Sequence, residues 1–138
     1  MFKPKINIVT NEVMLDTLTS MLVEGETLQT PFYALFEKKG RPKHNGFCFI
    51  GTTKSSLLLA LLNTHANNVE WTSRIPLEEI NKIEIKGSSF FKQIIIKIAF
   101  NEGNDVLIRA STNDLPGDFI NQSCHLSDFI GRLHAILN

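Results

Sequence analysis

Between Glu26 and about Ser111 apolar residues recur at every second position, and this pattern restricts the fold more than any other feature of the chain. A period of two belongs to strands with one buried face. Leu28, Thr30, Phe32, Ala34 and Phe36 alternate with more polar neighbours. Gly46 to Thr53 and Ser55 to Leu62 read as the next two strands, and Leu57 to Leu62 is apolar on both faces. Val69, Trp71, Ser73 and Ile75 alternate with Glu70, Thr72 and Arg74. Pro76 has no N–H to give a ladder and is expected to interrupt that strand. Asn81 to Lys86 sets Ile83 and Ile85 against Lys82, Glu84 and Lys86. Lys92 to Phe100 and Asp105 to Ala110 follow, joined by a hairpin turn at Asn101–Asn104 in which Gly103 is free to take positive φ.

Helical spacing bounds this run on both sides. Met14, Leu18, Met21 and Leu22 predict a helix from about Thr10 to Glu24, capped by Thr10 or Asn11 and stopped at Gly25. Leu126, Phe129, Ile130, Leu133, Ile136 and Leu137 form one stripe of a C-terminal helix. Its start has two readings: Ser123 as cap, or Asp114 or Leu115 ahead of Pro116 at the first helical position. The order is therefore helix, seven strands, helix. Strands joined by short turns build an antiparallel meander, and seven of them form a sandwich or curl into a partly open barrel. The C-terminal helix is expected to plug one end of the barrel. Residues 1–24 are read as an N-terminal segment with its helix and 25–138 as the barrel domain.

A length of 138 residues suits such a domain, which buries roughly two-thirds of its unfolded surface without a metal or disulfide. Fourteen basic residues balance fourteen acidic ones, and Lys outnumbers Arg ten to four. Neutrality with few guanidinium forks argues against nucleic acid as partner. The N-terminus has no apolar core of signal-peptide length, and the longest purely apolar run, Leu57 to Leu62, is far too short to cross a bilayer. The expectation is a cytoplasmic protein, with peripheral membrane contact as the alternative. Cys48 and Cys124 are expected to be buried free thiols.

The stretch from Gly46 to Leu62 resembles bacterial pleckstrin-homology-like and GRAM-like domains, with a glycine, apolar alternation, a threonine and then leucines. Arg74-Ile-Pro-Leu-Glu-Glu-Ile80, followed by Ile83 and Ile85, is similar to their "Ile-Pro, two or three residues, Ile, strand" segment. The likeness covers about Gly25 to Asn138 and implies a mainly β fold: a seven-stranded, partly open antiparallel barrel closed by a C-terminal helix. The N-terminal helix lies outside it. At Thr53-Lys54-Ser55 the chain departs from the acidic-then-basic pair common in the family.

Four groups of residues are candidate sites. Lys38, Lys39, Arg41 and Lys43, with His44, cluster at the first hairpin, where the domains this chain resembles commonly bind phosphoinositides with basic residues. That signature continues into the second strand, whereas Phe47-Cys-Phe-Ile50 carries no charge. Cys124-His125, with His134, could supply a nucleophile or metal ligands, but neighbours on a helix point about 100° apart. Glu78-Glu79 read as a strand-end turn, and Glu102 and Asp105 flank a hairpin; no catalytic motif is present. Apolar surface remains at Leu57–Leu62, Ile94–Ile96 and Phe90-Phe91, either as an interface or as a site covered by the N-terminal helix. The preferred expectation is a non-enzymatic binding module with no cofactor or metal, acting through a protein partner or self-association. An anionic-lipid binder is the alternative, and an enzyme with a Cys/His site the last.

Overall fold

The computed structural model describes residues 10–40, 45–63, 65–88, 93–103, 105–111 and 121–137. Helix α1 spans Asn11–Ser20, with the Thr10 hydroxyl accepting from the Val13 N–H at 3.2 Å. It stops one turn short of the sequence expectation. Its last turn holds Thr17, Thr19 and Ser20, and the Ser20 hydroxyl donates to the Thr17 carbonyl, competing with the backbone for that acceptor. Met21 and Leu22 close the end with tighter bonds to Leu18 and Thr19. Gly25, at φ +85°, turns the chain afterwards.

Seven strands follow: β1 Gln29–Lys38, β2 Gly46–Thr52, β3 Ser56–Leu62, β4 Val69–Pro76, β5 Ile80–Ser88, β6 Gln93–Phe100 and β7 Val106–Ser111. All pairings are antiparallel, in the order β4-β3-β2-β1-β7-β6-β5. The strands β4 and β5 are thus opposite edges, yet only the single turn Leu77–Glu79 separates them in sequence. Flat, a sheet of this width would hold its edges about 29 Å apart, six spacings of about 4.8 Å. The chain from Pro76 to Ile80 can reach at most about 15 Å. The sheet is therefore curled, open between β4 and β5 away from the corner where they meet. Pro76 ends β4 without breaking it, because at an edge its missing N–H removes no bond to β3.

The concave face holds the main core: Phe32, Ala34 and Phe36, Cys48 and Ile50, Leu57, Leu59 and Leu61, Ile96 and Ile98, and Val106, Ile108 and Ala110. Helix α2, Gln122–Leu137, inserts Leu126, Phe129 and Leu133, with the Phe129 ring centroid 4.8 Å from that of Phe32. The start with Ser123 as cap is not found. The first helical residue is Gln122, and Asn121 accepts from the His125 N–H; the second option fell on 112–120, outside the described residues. On the convex face, α1 lays Met14 and Leu18 on Phe49, Leu58, Ala60 and Leu62. This is why β3 is apolar on both faces: each face has its own core. Gly51 permits the close approach, since a Cβ there would lie 2.8 Å from Leu28 Cδ1 and 3.2 Å from Leu18 Cδ1. Phe90-Phe91 lie outside the described residues. No described helix is long and apolar enough to cross a membrane.

Candidate functional site

With α2 packed near Phe32, the other barrel end carries Phe36 and Lys38 of β1, the start of β7 and the end of β6. The first hairpin is tied down there. The Lys38 N–H donates to Asn45 Oδ1 at 3.0 Å, and the Lys39 N–H to the Asp105 carbonyl at 3.0 Å. The strand alternation then parts the two lysines. Lys38 follows Phe36 on the concave side, and its Nζ stands 5.9 Å from the centroid of the Trp71 ring. Of the four basic residues singled out in the sequence, Lys38 and Lys39 are described; Arg41 and Lys43 lie outside the described residues, as does His44.

Two cavities meet at this rim. The outer one, of about 580 Å³, is lined by Glu37, Lys38, Lys39, Lys97, Asp105 and Leu107 among others. Strand register assembles it: Glu37 faces Leu107 across β1 and β7, and Leu107 faces Lys97 across β7 and β6. Lys97 Nζ lies 3.9 Å from Asp105 and Arg109 Nε 4.0 Å from Glu37, so carboxylates offset the cations. The inner cavity, of about 210 Å³, has buried Phe36, Leu59 and Val106 at its back and Trp71, Ile75 and Phe100 along its sides. Lys38, Glu79 and Glu102 bring charge to it. Sequence reasoning did not join Glu79 to Glu102. They converge because Ile80 pairs with Phe100, and because Asn101 donates its N–H to the Glu79 carbonyl at 2.7 Å and its Nδ2 to the Glu78 carbonyl at 3.2 Å. The only signal available was that each pair flanks the end of a predicted strand.

The Cys/His candidate comes apart in space. Cys124 is exposed rather than buried, with its Sγ 4.0 Å from Asp128 Oδ2, and His134 is exposed farther along α2. Cys48 is buried on the concave face, where loss of solvent pushes its thiol far above the ordinary range and leaves it unreactive. Among the described residues no group of three or more His, Cys, Asp or Glu could hold a metal ion.

No protein-family description matches this sequence, and no curated protein matches it. Among solved structures, the chain is similar to the hSac2 domain from human phosphoinositide phosphatase Sac2, with a TM-score of 0.60. The match covers 91% of this chain and 78% of that one at 12% identity. At this identity the likeness shows the fold alone: a seven-stranded antiparallel sheet with its helices, shared without sequence kinship that would carry an activity.

Proposed function

We propose that the chain is a non-enzymatic interaction module of pleckstrin-homology-like fold that acts through protein contacts at the open rim of its barrel. The observation that carries this reading is the composition of the rim. Lys38, Lys39 and Lys97 are interleaved with Glu37, Asp105, Glu79 and Glu102 around apolar Leu107, Trp71 and Phe100. Apolar groups ringed by charges of both signs suit a protein partner, whose surface also carries both. A headgroup pocket calls for a surplus of positive charge, and the described rim has none. Capture experiments with the immobilised chain test the reading. The wild type is expected to retain a defined partner that the outer-cavity variant Lys97→Glu/Leu107→Glu loses. Equal capture by both would remove the rim from the interaction.

Anionic lipid is the second reading, favoured by Lys38 and Lys39 beside the outer cavity, with Arg41 and Lys43 next in sequence. The structural neighbour also comes from an enzyme of phosphoinositides. Flotation with neutral and anionic vesicles at low and physiological salt separates the two, because exposed charges are screened over about 8 Å in physiological salt. Salt-sensitive flotation that Lys38→Glu/Lys39→Glu/Arg41→Glu/Lys43→Glu abolishes would replace the protein reading.

A further inference from the structure

The inner rim cavity has a more specific chemistry than the rim as a whole. Its volume of about 210 Å³ lies below the roughly 300–1,000 Å³ of ordinary small-molecule sites and suits one long side chain. Its side walls include an indole, and that ring already has a cation beside it, since Lys38 Nζ stands 5.9 Å from the Trp71 centroid. Two carboxylates, Glu79 and Glu102, line the same cavity as that single ammonium. The geometry is stiff, because Asn101 bonds the turn after β6 to the turn before β5 through its N–H and its side-chain amide.

We propose that this cavity receives the guanidinium of an arginine side chain from a protein partner, a step that rests on the protein-contact reading above. The aliphatic stem lies along Ile75 and Phe100, and the planar head takes the place of the Lys38 ammonium at Trp71 and turns its fork toward Glu79 and Glu102. Arginine is preferred to lysine because a flat, weakly hydrated fork both stacks on an indole and bonds two carboxylates, whereas an ammonium is a compact, strongly hydrated point charge. An anionic ligand would meet two carboxylates for one lysine. Lys38 is in this scheme an internal competitor, so removing it strengthens binding. That is the opposite of what any anion site built on Lys38 requires.

Trp71 is the only tryptophan of the chain, so fluorescence excited selectively at tryptophan reports this cavity alone. N-acetyl-arginine-amide is titrated into the full chain at constant ionic strength, up to about 100 mM to cover the weak affinity of a single side chain. N-acetyl-alanine-amide and inorganic phosphate serve as comparison probes. A saturable response to the arginine probe alone is expected, tightened at least about threefold in Lys38→Ala and weakened about tenfold in Glu79→Gln/Glu102→Gln. A silent titration, a saturable response to phosphate, weaker binding by Lys38→Ala, or equal binding by the double variant would each overturn the proposal. Silence together with intact partner capture would overturn the arginine site and leave the protein reading standing. Arginine binding without any partner captured would overturn the protein origin of the arginine, and with it the reading beneath.

Discussion

Gln122 carries a side-chain amide into a place where a strand would otherwise lie. Strand β7 pairs with β1 only from Leu35 to Lys38, and nearer the start of β1 the Tyr33 backbone meets the Gln122 amide instead. Nε2 donates to the Tyr33 carbonyl at 2.8 Å and to Ser111 at 3.4 Å, while Oε1 accepts the Tyr33 N–H at 3.2 Å. One buried side chain thus fastens the first turn of α2 to two strands. Gln122→Ala is expected to destabilise the fold by about 2 kcal/mol, the cost of removing hydrogen bonds from buried groups, read as a lower urea midpoint at constant slope. Glu26 does similar work outside the barrel. Arg74 bonds its carboxylate at 2.7 and 2.8 Å and the Met21 carbonyl at 3.0 Å, clasping the end of α1 to β4. Those bonds from Arg74, then the Val23 N–H, pull the Glu26 carboxyl from its ordinary 4.5 down to about 2. A carboxyl lowered in the folded state stabilises above its unfolded value and loses that effect as pH falls toward the folded one. The stability gap between wild type and Glu26→Gln should therefore be constant above pH 4.5 and shrink progressively toward pH 2, measured by urea titrations across that range. Neither residue announced itself in the sequence, since Gln122 meets a partner 89 positions away and Glu26 one 48 away.

Elements were more legible than their ends or their partners. Alternation located most strands, because the pleat forces period two wherever one face is buried, whereas β3 stood out as a continuous apolar run. The stripe of Met14 and Leu18 likewise marked a helix. What the stripe could not say was which surface it covers, and the double-faced run in β3 was open to two explanations until α1 was seen lying on it. Helix ends were misjudged where side chains compete with the backbone, as at Ser20. The contact of α1 with the sheet has a measurable consequence. Two fully buried apolar side chains are worth about 2 kcal/mol each, so Met14→Asp/Leu18→Asp should lift the helix away while the concave core stays formed. Amide exchange should rise in α1 and sedimentation should show self-association through the bared β2–β3 face. A monomer with α1 still protected would show that this packing is dispensable.

At the scale of the molecule, strand number could be read from the sequence, and so could the need for curvature. The pairing of β1 with β7 could not, because it joins segments some seventy positions apart with no local mark on either. The rim cavities were hidden for the same reason: they belong to the closure, and their charged residues are neighbours only after it. Closure also decides what becomes of β3. The segment Ser56–Leu62 has no charge, glycine or proline, and all seven residues are buried. Released from its neighbours, such a segment is the raw material of a cross-β stack. Its outer cover, α1, lies earlier in the chain, so it leaves the ribosome first. Yet ten residues are too few for a helix to persist alone in water. During synthesis the guard and the guarded strand each wait for the other, and the interval before they meet is when this chain would most need a chaperone.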